Sequence, residues 1–227
     1  MKLFSKRYLI GSISAGALLL MFGCNDNKDT AVDVGYVHAS YAFDVNDLNQ
    51  FVGSADNVFV GYVEKIEGTE YKFPTTIETE TGSKTISTPH TNYSITVIDN
   101  LKGELKKDQP IPLQKAGGIS EDGSIQVIFE NDILPEEGKY YIFSTLNQPD
   151  GSILAGGTNT TIPLNVDDVD GVDSVDSRSN TVSSEDPLNA NAKSDIVSSE
   201  EYKDFTKAIK NQVKFEHPEY YENNYSE

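Results

Sequence analysis

The chain has a single cysteine, Cys24, in 227 residues, so it cannot close an intramolecular disulfide. A fold without that staple must be held by its hydrophobic core, and domains much smaller than roughly 100 residues seldom bury enough apolar surface to manage it. The expectation is one domain of ordinary size with tails, not a string of small modules.

The position of the cysteine carries a second reading. It follows a basic start (Lys2, Lys6, Arg7) and an apolar run over residues 8–22 that is short and glycine-broken for a membrane span. Residues 1–23 therefore read as a signal peptide. Met21, Phe22, Gly23 and Cys24 resemble the bacterial lipobox, a Leu, small, small, Cys pattern, with Phe22 standing where a small residue is usual. In that pattern the cysteine sulfur takes a diacylglyceryl group, with palmitate-type acyl chains, and becomes the first residue of the mature protein. The resemblance implies lipid attachment at Cys24 and a place on the extracytoplasmic face of the cell membrane. The alternative is an uncleaved signal anchor with an incidental cysteine.

Charge narrows the partners. The whole chain has 18 basic and 36 acidic residues. Without Lys2, Lys6 and Arg7 the remaining fifteen basic residues leave a formal charge of −21. A phosphate backbone needs a basic patch, and the densest basic group, Lys102, Lys106 and Lys107, is interleaved with Glu104 and Asp108, so no nucleic-acid partner is expected. The same acidity repels anionic lipid headgroups, and the domain should stand off the membrane.

Residues 24–40 are polar and patternless and read as a flexible tether. Asp44 can cap a short helix carrying Val45, Leu48, Val52 and Ala55 as one stripe. Residues 58–66 are apolar on both faces, Val58, Val60 and Tyr62 against Phe59, Gly61 and Val63, as in a strand covered on both sides. Tyr93, Ile95 and Val97 alternate with Ser94 and Thr96, a strand with one wet face. Further strands are expected over 111–115, 124–129, 139–146 and 152–155, with hairpin turns at Asp122-Gly123 and Asp150-Gly151. Residues 67–91 read as an exposed hairpin or long loop folding back around Gly82, either a binding element or a tolerated insertion.

Those elements add up to an antiparallel meander of five or six strands with an early helix, spanning residues 41–163. Residues 164–197 are acidic and low in complexity and read as a disordered linker. Ser198 and Glu201 form a capping box for an amphipathic helix over 198–216, with Tyr202, Phe205, Ala208, Ile209 and Val213 as its stripe. A polar tail occupies 217–227.

No constellation points to catalysis or a cofactor. His38, His90 and His217 are far apart, fit no metal-ligand spacing and read as surface residues. The familiar nucleophile elbow and Walker loop are absent. Set against an EF-hand loop with Gly171 in the sixth place, Val166 and Ser177 fall on two obligatory ligand positions, which excludes that motif; the acidic run reads as solvated, with loose divalent binding as the alternative.

The run Ser54-Ala55-Asp56-Asn57-Val58-Phe59-Val60-Gly61-Tyr62-Val63, then residues 93–97, Leu101-Lys102-Gly103 and Gly138-Lys139-Tyr140-Tyr141-Ile142-Phe143, resembles a pattern in surface lipoproteins of Gram-positive bacteria. It is more distantly similar to the oligonucleotide/oligosaccharide-binding (OB) barrel of the netrin and tissue-metalloprotease-inhibitor modules. The resemblance covers about half the mature chain. It implies a mainly β fold, a small five- to six-stranded antiparallel OB-like barrel with flanking helices. It does not carry over protease inhibition, since Cys24 would be acylated and the inhibitors' disulfides are missing. The expectation is a membrane-anchored, non-catalytic module binding a protein or polymer of the cell envelope. The rivals are an envelope hydrolase using Asp or Glu carboxylates and a structural accessory subunit.

Overall fold

The computed structural model describes residues 32–80, 82–166 and 190–215. Among these the fold is mainly β, in two sheets with three helices. The elements run β1 (Asp33–Val37), α1 (Leu48–Ser54), β2 (Asn57–Thr79), β3 (Gly82–Lys102), β4 (Pro110–Ala116), β5 (Gly118–Ile119), β6 (Ile125–Phe129), β7 (Tyr140–Asn147), β8 (Ile153–Ala155), β9 (Thr161–Leu164), α2 (Ala190–Ser198) and α3 (Glu200–Lys210).

The larger sheet is ordered β2-β3-β4-β8-β7-β9, and a further pairing of β2 with β7 closes five of its strands into a ring. β4 and β8 pair in parallel, Gln114 with Leu154 and Lys115 with Ala155, so the connectivity is not the simple meander expected. That departure follows from β7, which takes β2 along one edge and β9 and then β8 along the other. The smaller sheet, β1-β6-β5, is also unforeseen. Its first strand corrects the tether: Asp33 to Val37 lie parallel to Ile125 to Phe129, one to one.

The two apolar faces of β2 serve two cores. Val58 and Val60 pack with Phe51, Val52, Ile98, Ile142, Phe205 and Ala208 in a cluster shared by sheet and helices. Phe59 and Val63 pack with Tyr93, Ile95, Val97, Leu113, Tyr141, Phe143, Ile153 and Ala155, a cluster to which all five ring strands contribute. Gly61 belongs to the second face, and a Cβ there would lie 2.5 Å from Ile95 Cγ2 and 2.9 Å from the Phe143 ring. The strand therefore needs a residue without a side chain at that crossing.

The helices shift from their expected places. Asp47, not Asp44, caps α1, its carboxylate accepting from the Asn49 N–H at 3.0 Å. α2 places residues 190–198 in a helix where a disordered linker is expected, with Ile196 in the core; the acidic residues 167–189 lie outside the described residues. Ser199 caps α3 through the Tyr202 N–H, and the stripe docks on its own domain through Phe205 and Ala208. Val213 falls beyond the helix and is exposed, its N–H bonded to Asn49 O at 3.0 Å. None of the helices described is long and apolar enough to cross a membrane.

Candidate binding cleft and a buried polar cluster

The outer half of the β2–β3 hairpin is the exposed excursion anticipated over residues 67–91, and its strands stay paired out to Thr79 and Gly82. It leans over the small sheet. Between them lies a cleft of about 760 Å³ whose apolar lining includes Phe73, Ile86 and Pro89 from the hairpin and Ile125, Val127 and Phe129 from β6.

Phe73 is the unusual member of this lining. It is 61% exposed, and its φ of +54° is one that bulky residues rarely adopt. The position coincides with a register shift in the hairpin between Lys72 and Thr75, where the strand must absorb extra residues. The ring is steadied by an edge contact with His90, centroids 5.8 Å apart. His90 itself is buried, not on the surface, and its burial lowers the imidazole's pKa from the usual value. His38 is exposed as expected, with Nδ1 2.8 Å from Glu130 Oε2, and His217 lies outside the described residues.

At the rim, Lys84 on the hairpin meets Asp122 in the β5–β6 turn at 3.4 Å. Asp122 also accepts from the hydroxyls of Ser124 at 2.6 Å and Ser120 at 2.7 Å and from the Ser124 N–H at 3.1 Å. Those donors hold its carboxyl well below the usual range, Ser124 contributing most. The rim thus holds a fixed Lys84–Asp122 ion pair beside an apolar floor.

A second feature is a buried polar cluster near the end of β4. Lys115, next to last in β4, has no exposed side-chain surface, and its Nζ touches Asp132 Oδ2, also without exposed side-chain surface. Thr160 completes the cluster: its hydroxyl accepts from Lys115 Nζ at 2.8 Å and lies 2.8 Å from Asp132 Oδ2 and 3.2 Å from Gly157 O. The other Asp132 oxygen accepts from the Ile133 N–H at 3.0 Å. Burial pushes the lysine's pKa down and the aspartate's up, each toward its neutral form.

Backbone conformation aims the two loop residues inward. Asn131 and Asn159, immediately before Asp132 and Thr160, have φ of +57° and +61°, and the Asn159 N–H donates to Asn131 O at 3.2 Å. Asparagine tolerates this left-handed conformation better than most residues.

Cys24 lies outside the described residues, as does the acidic run around Gly171. Among the described residues no three His, Cys, Asp or Glu side chains are grouped so as to hold a metal ion. The sequence marks the hairpin as exposed, either a binding element or a tolerated insertion, but gives no sign of β6 as the opposite wall of the cleft. Nor does it point to Lys115, Asp132 and Thr160, which come together only in the folded chain. Compared with known proteins, the chain matches no family model and no curated protein.

Proposed function

We propose that this protein is a lipid-anchored, extracytoplasmic binding module that holds an extended segment of an envelope protein or polymer in the cleft between the hairpin and the small sheet. The observation that carries the reading is the cleft itself: an exposed aromatic in a costly backbone conformation, set over an apolar floor. A residue with such a φ costs on the order of 1–3 kcal/mol and persists where the surroundings over-determine it, commonly at ligand sites. Exposed, contiguous apolar surface with a polar rim is the usual mark of an interaction site.

The finer fold reading agrees. Counted from β2, the ring runs first, second, third, fifth, fourth and back to first, with only the third and fifth strands parallel. We read it as an OB-like barrel, in which the loop between the first two strands is a common ligand-binding element. Here that element is the hairpin bearing Phe73 and Ile86. Glu121 in the lining and the chain's formal charge of −18 favour a partner segment with basic residues beside its apolar ones.

The anchor would be Cys24, whose acyl chains hold the module at the membrane while its net negative charge keeps it off the headgroups. Affinity capture from intact envelopes tests the binding. Full-length lipidated protein should retain one stoichiometric partner, and Phe73→Asp with Ile86→Asp should release it without lowering the melting temperature by more than a few degrees. Equal capture by wild type and the double variant would refute the cleft as the binding site.

A further inference from the structure

We propose that Lys115 and Asp132 are joined by an intramolecular isopeptide bond between Lys115 Nζ and Asp132 Cγ. The two side chains are in contact and each has no exposed surface. Kept as ions, both charges would be stripped of water, with a hydroxyl and one backbone N–H as the other polar neighbours described. Such a pair gains little over apolar replacements because desolvation offsets the Coulombic attraction. Burial favours the neutral amine and the neutral acid, and these are the nucleophile and electrophile that condense.

The reaction needs no partner from outside. The Nζ lone pair attacks Cγ, and the negative charge that develops on Oδ1 is met by the Ile133 N–H at 3.0 Å. The Cγ–Oδ2 bond then breaks. Oδ2 leaves as water, carrying the proton of the neutral acid and one proton from Nζ, with the Thr160 hydroxyl 2.8 Å from both Nζ and Oδ2 to relay it. An amine and a carboxylic acid become an amide and one water, with no change of oxidation state.

The product leaves no polar group stranded. Its carbonyl oxygen keeps the Ile133 N–H, its N–H keeps Thr160 Oγ1, and the Thr160 hydroxyl, freed from Oδ2, turns to Gly157 O at 3.2 Å. The link would tie β4 to the loop after β6, locking the small sheet and the cleft floor to the ring. It would supply the covalent staple that a chain with one cysteine cannot obtain from a disulfide.

Tryptic digestion of the denatured full-length protein, followed by mass spectrometry, tests the bond. The expected product is one peptide spanning residues 108–139, uncleaved after Lys115 and lighter than its sequence mass by one water. Lys115→Met and Asp132→Ala should each abolish that loss, while Thr160→Val should leave a mixture of linked and unlinked chains and Thr160→Ser should restore linkage. Wild-type protein yielding separate peptides 108–115 and 116–139 overturns the proposal whether or not the variants fold. Loss of water at Asp122-Gly123 alone would leave Lys115 cleavable and so would count against it.

Discussion

Val60 has no exposed surface and faces the core cluster shared by β2, α1 and α3. An aspartate there would bury a charge with no counterion, among the few changes that cost about 4 kcal/mol or more. Val60→Asp should therefore unfold the domain or move its denaturation midpoint far down, while Glu80→Gln, at the exposed hairpin tip, should stay within about 0.5 kcal/mol of wild type. Equal midpoints would contradict the placement of β2. His90 gives a residue-scale prediction with a pH sign. Burial lowers its pKa below the ordinary 6.5, outweighing the Thr88 carbonyl and Glu70, which favour the charged ring. The unfolded chain then binds the proton first, so the stability held by the neutral ring is complete above 6.5 and declines as pH falls from there to the folded-state pKa. Melting temperature should drop more steeply over that window for wild type than for His90→Gln, and parallel curves would show that the ring is not buried.

Elements whose pattern is local are legible in the sequence. The alternation sorted the side chains of β2 and put Tyr93, Ile95 and Val97 on one buried face of β3, but the opposite face of β3, expected to be wet, is covered too, with Thr96 buried and Ile98 in the core shared with the helices. The Asp-Gly turns fall where Gly123 and Gly151 have φ of +74° and +84°. Elements that depend on distant pairing are not legible. β1 is short and has no apolar run of its own, and its partner β6 lies far along the chain. α3 falls between these cases, since its stripe announced an apolar face but not what it covers. That face docks through Phe205, and the Tyr202 hydroxyl donates to Asp99 Oδ2 at 2.7 Å. Burial and then that carboxylate push the Tyr202 pKa up to about 12. Phe205→Ala should cost about 3–5 kcal/mol, read as a lowered melting temperature with new binding of an apolar dye. An unchanged melting temperature would mean that the helix is not held by the domain.

At the scale of the whole molecule, composition excluded nucleic acid as an expected partner and the lone cysteine demanded a core-held fold, but neither could assemble the cleft. Its walls come from two sheets, and Phe73 and Ile125 read alone as ordinary apolar residues of a loop and a strand. Lys115 was hidden by the same logic: a lysine between Gln114 and Ala116 looks like the solvated face of a strand, and only the folded chain brings Asp132 and Thr160 onto its ammonium. The anchoring claim belongs here too. Cys24→Ala should move the protein from the detergent-extracted membrane fraction to the medium or leave uncleaved precursor, since two acyl chains are needed for a lasting hold. Normal processing and membrane retention of that variant would contradict it.

The most direct test of the binding account is site-specific photo-crosslinking in intact cells, with the reactive group placed at Ile86 in the cleft or at Lys207 on the exposed side of α3. The account predicts one discrete adduct from Ile86 that is absent from Lys207. No adduct at Ile86, or the same adducts from both positions, would contradict it.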